Sequence, residues 1–149
     1  MKFSVNREAL LRPLTIVSGA VERRQTMPIL SNLLIKVSGK KLLITGTDLE
    51  VELSATIDLE SAADEKGDIT VPARKLVDIC KSLPESCDIS FLLDGGKAVV
   101  KSGRSRYTLA TLPAADFPSV QKDESSFSAT VNQGDFAQLI DRTAFSMAQ

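Results

Sequence analysis

The sequence predicts an α+β fold in which helices cover one face of antiparallel sheets, built from duplicated strand-helix-three-strand units. A short strand pattern is followed at once by a helix pattern at three places along the chain. After each of the first two helices come three apolar runs of strand length, separated by turn residues. The three strand-helix starts also align with one another without gaps, which indicates an internal repeat.

The first unit begins with the strand pattern "MKFSV" and the helix pattern "NREALLRPLTIVSGAV". Asn6 is a favourable N-cap, because its side-chain oxygen can accept from the free backbone N–H groups of the first turn. Pro13 lies beyond that turn and removes a backbone hydrogen bond, so we expect a kink there. Gly19 is a plausible end of the helix.

Three strands complete this unit: "ILSNLLIKV", "KLLITGTD" and "LEVELSATIDL". The turn Ser38-Gly39-Lys40 joins the first two as a hairpin. Alternation in the third strand predicts one buried side and one solvated side. The expected buried residues are Leu49, Val51, Leu53, Ala55 and Ile57. In "GTDLE", Gly46 is expected to adopt unusual dihedral angles and Asp48 to cap its own turn.

The second unit repeats this order. "DITV" is a strand pattern, and "PARKLVDICKSLP" is a helix pattern with Pro72 at its favoured first position. The runs "DISFLLDG", "KAVVKSG" and "SRYTLATLP" are three further strands. A polar connector then leads to a third start, the strand "SFSATV" and a helix with Asn132 as its cap.

The three starts correspond residue by residue. Phe3 aligns with Ile69 and Ala129, and the helix stripes continue the match in the same register. Two full units occupy about residues 1–66 and 67–113, with a connector to 125. The third unit stops after its strand and helix, so we expect the chain to be an N-terminal fragment of a longer protein.

Composition excludes several classes of function. The 149 residues carry a net charge of −1 and contain no histidine, which excludes His-dependent nucleophilic catalysis and His-ligated zinc. No apolar run approaches the length of a membrane span, and the first residues are not typical of a secretory signal. Cys80 and Cys87 are expected to be reduced thiols of a cytosolic protein. Cys80 falls on the helix stripe and is expected to be buried.

Acidic residues are concentrated between positions 48 and 68. They are Asp48, Glu50, Glu52, Asp58, Glu60, Asp64, Glu65 and Asp68, against the single cation Lys66. The first three would share one strand face at period two, so a solvated outer face is the favoured interpretation. A metal site or an acid-base pair of a carboxylate hydrolase is the alternative.

Basic residues gather in other places, most densely in "SGRSRYTLATLPAADFP". Lys101, Arg104 and Arg106 surround Gly103, where they could cradle a phosphate, bind nucleic acid or contact an acidic protein. Strand alternation predicts that Arg104, Arg106 and Thr108 share one side of the strand. Ser105, Tyr107 and Leu109 would then lie on the other side.

Four motifs together resemble the bacterial DNA polymerase III beta subunits, the DNA sliding clamps. They are "TVPARKLVDICKSLP", "LITGTDLEVEL", "SGRSRYTLATLPAADFP" and "FSMAQ". The resemblance runs over the whole chain and implies a DNA-clamp fold. It assigns residues 1–125 to the first clamp domain and 126–149 to the opening strand and helix of an incomplete second one. In this family, two three-domain chains close head to tail into a ring that slides on duplex DNA.

The resemblance also implies binding residues. Arg24 and Gln149 match positions in the family's two DNA-contacting loops, and we place Arg12, Arg74 and Lys81 on helices that line the ring. Because contacts to phosphates do not specify sequence, no base recognition is expected. The family's seam with the partner's third domain corresponds to the last strand of this domain. The residues expected there are Lys75, Arg104, Arg106, Tyr107 and Leu109.

The resemblance implies a non-catalytic processivity factor of the bacterial cytoplasm, without cofactor, metal or membrane. Its partners would be double-stranded DNA, a second clamp subunit, the clamp loader and replicative and repair polymerases. An alternative is a small interaction module that regulates an intact clamp through an exposed edge strand. For the fragment we expect a folded monomer or a weak non-native oligomer, with no detectable hold on circular DNA.

Overall fold

A computed structural model of the chain describes residues 1–21, 27–118 and 128–147. The regular elements follow the predicted order. They are β1 (Lys2–Asn6), α1 (Arg7–Val17), β2 (Asn32–Ser38), β3 (Lys41–Thr47), β4 (Glu52–Asp58), β5 (Gly67–Pro72), α2 (Ala73–Ser82), β6 (Asp88–Asp94), β7 (Lys97–Ser102), β8 (Ser105–Ala110) and α3 (Gln133–Ala144). Three short 3₁₀ turns occupy Ser18–Ala20, Pro28–Ser31 and Ala114–Asp116.

The helices of the two full units, α1 and α2, begin close to where the sequence predicts, but the position of Pro72 differs. The Asn6 side chain accepts a hydrogen bond of 3.0 Å from the backbone N–H of Glu8, and α1 continues through Pro13 to Val17. Pro72, expected at the first helical position, instead ends β5 and precedes α2. Its ψ of 116° is extended, so the helix can only begin at the next residue.

The two repeat units exchange their first strands. One antiparallel sheet has the order β1-β6-β7-β8, and the other has the order β4-β3-β2-β5. The strand that opens the first unit therefore pairs with the second unit, and the strand that opens the second unit pairs with the first. Neither sheet can reach four strands without residues from both units.

One apolar core joins both sheets and both helices. The α1 stripe of Leu10, Leu14 and Val17 is buried in the same cluster as Leu76 and Cys80 of α2. Each helix buries one side, as its apolar spacing predicts, and leaves its charged side in water. This confirms the predicted arrangement of helices on antiparallel sheets and the burial of Cys80.

A few polar contacts tie the sheets together at their corners. Asn32 of β2 donates a buried hydrogen bond of 2.9 Å to the hydroxyl of Thr70 in β5, and that hydroxyl also donates to the carbonyl of Leu112 just after β8. The connector then packs back on the domain, with Phe117 buried in a small cluster with Ile29, Leu30 and Leu34. Phe117 therefore holds the described end of the connector against the domain.

The segment before β4 differs from the prediction. Leu49 and Val51 are about half exposed instead of buried, because β4 begins only at Glu52. Asp48 forms the turn, as predicted: its carboxylate accepts from the backbone N–H groups of Glu50 (3.0 Å) and Val51 (2.7 Å). The positive φ of this turn lies at Leu49 and not at a glycine.

The third start forms its helix but not its strand. The Asn132 side chain caps α3 by accepting from Gly134 N at 2.8 Å. Residues 128–131, the described part of the predicted strand "SFSATV", have no strand pairing, because a strand requires a neighbouring strand to satisfy its backbone. All described residues from 128 to 147 are exposed. The boundary between the two clamp domains stays a prediction.

Candidate functional site

The last strand, β8, lies at a sheet edge. It pairs with β7 on one side, in a register that runs from Ser102 opposite Ser105 to Lys97 opposite Ala110. Gly103 and Arg104 form the two-residue turn between these strands, and Gly103 has φ +54°. Arg104 therefore lies in the turn, and the prediction that it shares a strand face with Arg106 and Thr108 is wrong.

The unused backbone groups of β8 belong to its even-numbered residues. A two-residue turn closes its hairpin with a hydrogen-bonded pair, after which bonded and non-bonded pairs alternate. Ser105, Tyr107 and Leu109 thus bond to β7. Beyond the strand, Leu112 directs its carbonyl away from β7 to the N–H of Thr70, at 3.2 Å, in agreement with this alternation.

Arg106, Thr108 and Ala110 therefore direct their N–H and C=O groups outward from the sheet. These three residues are exposed. The free edge can accept an additional strand from another chain.

The cations beside this edge have no acidic partner among the residues that the structure describes. None of the ion pairs there involves Lys101, Arg104 or Arg106. Lys101 and Arg106 lie directly opposite each other on neighbouring strands, an arrangement in which like charges repel. An acidic surface laid along this edge would relieve that repulsion.

The apolar residues of β8 are partly or fully enclosed by the domain itself. Leu109 is 7% exposed and packs in the domain's own core, so its side chain cannot fill a joint with another protein. Tyr107 is half-buried, and its hydroxyl lies 3.5 Å from the hydroxyl of Ser82 at the end of α2. Ser82 was not predicted from the sequence, because only the folded structure brings α2 beside β8.

The three cations of α2 fall on two different sides of the helix. At 100° per residue, Lys75 lies close to the direction of Ser82 and therefore toward β8. Arg74 and Lys81, seven positions apart, share another line with Asp78 between them. This separation agrees with the different roles expected for Lys75 and for the other two cations.

Arg74, Asp78 and Lys81 line an open groove of about 440 Å³. Ser18 and Val21, just after α1, form part of the opposite side. The groove is therefore a basic surface with one carboxylate, where α2 meets the end of α1. The sequence spacing of Arg74, Asp78 and Lys81 was the signal that could have identified Asp78 as a member of this surface.

The remaining predicted DNA contacts are separate from the groove or cannot be placed. Arg12 is exposed on the side of α1 opposite its buried stripe. Arg24 and Gln149 lie outside the described residues.

The acidic run does not form a metal site in the part of the chain that the structure describes. No group of three or more Asp, Glu, Cys or His side chains there could hold an ion. Asp48 belongs to its turn, and the backbone N–H of Val51, followed by that of Glu50, lowers the pKa of its carboxyl. Asp48 and Glu50 precede β4, so the expectation that they share a strand face with Glu52 is wrong.

Comparison with protein families agrees with this geometry. The family model for the DNA polymerase III beta subunit, N-terminal domain, matches residues 1–121. The chain belongs to this family. The resemblance noted from the sequence motifs is thereby confirmed, together with the fold that it implied.

Individual beta subunits are similar over the whole chain. The beta sliding clamp of Pseudomonas putida is 56% identical over 149 residues, which are 100% of this chain and 40% of that protein. A Vibrio harveyi beta sliding clamp sequence is 49% identical over 146 residues, 98% of this chain and 100% of that sequence. The chain thus spans about two fifths of the length of the first of these relatives.

Solved beta subunits have the same architecture. The DNA polymerase III beta subunit of Pseudomonas aeruginosa matches with a TM-score of 0.95 at 55% identity, covering 100% of this chain and 40% of that one. The Caulobacter crescentus beta subunit matches with a TM-score of 0.91 at 41% identity, covering 97% and 39%. Within residues 1–21, 27–118 and 128–147, no helix is long and apolar enough to cross a membrane.

Proposed function

We propose that this chain is the first domain of a DNA sliding clamp, a non-catalytic processivity factor of the replicative polymerase in the bacterial cytoplasm. The observation that carries the proposal is the free edge of β8, whose cations have no acidic partner among the described residues. In a head-to-tail ring, this edge would form the joint with a second subunit. We assign ring closure to a protein of the relatives' full length and not to these 149 residues alone.

The joint would be formed mainly by the backbone. Arg106, Thr108 and Ala110 supply outward N–H and C=O groups, and a partner strand would continue the β1-β6-β7-β8 sheet. Arg104, Arg106 and Lys75 supply positive charge for an acidic partner surface, which favours correct encounter and register. Tyr107 contributes its exposed part. Leu109 contributes through its place in the strand, because its side chain is in the core.

The joint can be tested by mixing this chain with intact Pseudomonas aeruginosa beta subunit and measuring mixed species by native mass spectrometry. We expect one intact subunit bound to one copy of this chain. Arg106→Glu should reduce the mixed species at least tenfold, because it places a carboxylate against an acidic face. Lys36→Glu is the matched control, since it makes the same charge change on the other sheet. Equal amounts of the mixed species with the two variants would contradict the proposed joint.

The second part of the proposal concerns double-stranded DNA. Arg74 and Lys81 would face the duplex from the groove, with Arg12 on the neighbouring helix. Arg24 and Gln149 would add contacts, because they match positions in the family's two DNA-contacting loops. Enclosure requires few phosphate contacts, because each one releases counterions and strengthens a grip that would slow sliding. The carboxylate of Asp78 between Arg74 and Lys81 fits a weak hold. Clamp-loader and polymerase contacts would belong to the full-length protein.

DNA contact can be tested by fluorescence anisotropy with a duplex at several salt concentrations. Arg74→Ala with Lys81→Ala should reduce the slope of log K against log salt by about 2, because each phosphate contact contributes about 0.9. The change should be the same for duplexes of different sequence. Lys36→Ala with Lys97→Ala, which removes two cations away from the groove, should leave the slope unchanged. An unchanged slope in the first variant would remove these residues from the DNA surface.

A second candidate function follows from the same free edge. A chain of this length that occupies the open joint of an intact clamp would regulate it by preventing ring closure. This candidate predicts that the chain lowers polymerase processivity on primed circular DNA when added to intact clamp. Unchanged processivity despite mixed-dimer formation would favour the first candidate alone.

A further inference from the structure

The domain has a second sheet edge, β4, at the far side of the other sheet. Two backbone bonds bracket its pairing with β3: Asp48 N–H to Val51 O at 3.3 Å and Leu59 N–H to Lys40 O at 2.8 Å. Between them the antiparallel alternation assigns odd-numbered residues to β3. Ser54, Thr56 and Asp58 therefore direct their backbone groups outward.

The two edges match in pattern. At period two, Arg106, Thr108 and Ala110 direct their backbone groups outward on β8, as Ser54, Thr56 and Asp58 do on β4. An antiparallel alignment places Arg106 opposite Asp58, Thr108 opposite Thr56, and Ala110 opposite Ser54. Thr–Thr and opposite-charge pairs are favourable cross-strand neighbours.

The two edges also match in charge. Arg104 extends the β8 edge by one cation, and Glu60 extends the β4 edge by one carboxylate. Asp58 already pairs with Lys41 at 2.5 Å, but both side chains are more than 60% exposed. An exposed pair of this kind contributes little, so Asp58 can exchange Lys41 for a better-placed arginine.

We propose that copies of this chain associate head to tail, the β8 edge of one copy pairing antiparallel with the β4 edge of the next. Antiparallel pairing of two β8 edges about Thr108 would place Arg106 opposite Ala110, and pairing of two β4 edges about Thr56 would place Asp58 opposite Ser54, so neither brings opposite charges together. Only the pairing of β8 with β4 places opposite charges, Arg106 and Asp58, opposite each other. Since the two edges belong to different sheets, each added copy leaves one basic and one acidic edge open for the next.

Association of this kind requires neither DNA nor an intact clamp. Three outward residues on each side make a small joint, so association is weak and concentration-dependent. Its charge pairs are exposed, so added salt weakens it further.

The test is to measure the mass of the full chain by sedimentation velocity, with one of the two edges blocked by a proline at a time. Thr108→Pro removes an outward N–H from β8, and Thr56→Pro removes one from β4, while neither position bonds to the neighbouring strand. We expect the unchanged chain to exceed dimer mass as its concentration approaches about 1 mM, in the weak range of small interfaces. Each variant alone should remain monomeric, and an equimolar mixture should stop at dimer.

Several results would overturn the proposal. One is a monomeric unchanged chain throughout this range; another is a mixture of the variants that stays monomeric. Association of either variant like the unchanged chain would assign self-association to another surface, such as the exposed apolar side of α3.

Charge variants keep the test decisive if proline disturbs the fold, which circular dichroism would reveal. Arg106→Glu and Asp58→Lys should each abolish association, and both changes in one chain should restore it. Lys36→Glu should have no effect. Failure of the double variant to recover would contradict the pairing. Because Asp58→Lys leaves β8 intact, it should still form the mixed species with intact beta subunit, which separates this inference from the proposed function.

Discussion

Gly46 of β3 lies against the end of α1. A β-carbon at this position would be 2.8 Å from the carbonyl oxygen of Val17 and 2.9 Å from a methyl of Leu33. The sequence suggested a glycine with unusual dihedral angles, but its φ is not positive. A glycine is required here because α1 comes too close to leave room for a side chain.

Gly46→Ala should therefore lower the free energy of unfolding by about 1–3 kcal/mol, the usual cost of overpacking. The backbone carbonyl of Val17 cannot move aside without shifting α1. Urea denaturation followed by circular dichroism would measure the change. Gly19→Ala is the matched control, because no atom beyond its own turn and chain neighbours lies within 4 Å of its added β-carbon. Equal losses in the two variants would contradict the steric explanation.

The two cysteines differ in environment, although both are free. Burial raises the pKa of the Cys80 thiol to about 11, whereas Cys87 is partly exposed. A thiol reagent at pH 8 should therefore modify Cys87 first and Cys80 only as the protein unfolds, because the thiolate is the reacting form. Cys87→Ser should remove the fast phase. Rapid modification of both thiols in the native protein would show that Cys80 is accessible to the reagent.

At the scale of elements, side-chain caps mark where α1 and α3 begin. Asn6 and Asn132 each supply a side-chain oxygen to the first turn of a helix. Arg7 links the helices, because its Nε donates to the carbonyl of Cys80 in the last turn of α2 at 2.8 Å. Asp48 has a similar local role in the turn before β4.

The turn formed by Asp48 makes a pH-dependent contribution to stability. Backbone donors, first that of Val51, hold the pKa of the folded-state carboxyl below its ordinary value. Its contribution is therefore full above the unfolded value near 4 and is lost as the pH falls through the folded value. The difference in melting temperature between the unchanged chain and Asp48→Asn should be constant near neutral pH and shrink below about pH 4. A difference that stays constant down to pH 2.5 would contradict this role.

At the scale of the whole molecule, exchange of β1 and β5 makes the two units one cooperative structure. Each sheet contains a strand from the other unit, and one core joins both. Amide exchange should therefore give the same opening free energy for central residues of β3 and β7. Gly46→Ala, although in the first unit, should reduce protection of β7 by the same factor as that of β3. Loss confined to β3 would show that the units unfold separately.

The helix α3 should behave differently from the domain. Its apolar residues, among them Phe136 (54% exposed) and Leu139 (61%), have no cover from the described chain. An isolated helix of 12 residues is marginal in water. Amides of Gln133–Ala144 should thus exchange orders of magnitude faster than those of β3, as hydrogen-exchange mass spectrometry can measure. Equal protection would show that another surface packs on this helix.

Much of the candidate site could be predicted from the sequence, because its residues lie in regular patterns. Alternation placed Arg106 and Tyr107 on opposite sides of the last strand, and the helix pattern of the second unit contains Arg74 and Lys81. Arg104 was misplaced, since alternation was extended through a two-residue turn that interrupts it. Leu109 packs in the domain's own core, which periodicity alone could not show because it predicts the direction of a side chain and not what surrounds it.

The sequence by itself determined the elements, their order, the repeat and the family, because caps, turns and apolar periods act over a few residues. Only the tertiary structure decided which strands pair. The partner of β1 is β6, more than eighty residues away, and no local pattern distinguishes that pairing from one within its own unit. The same long-range pairing leaves β8 and β4 as the free edges, with Arg106 on one and Asp58 on the other.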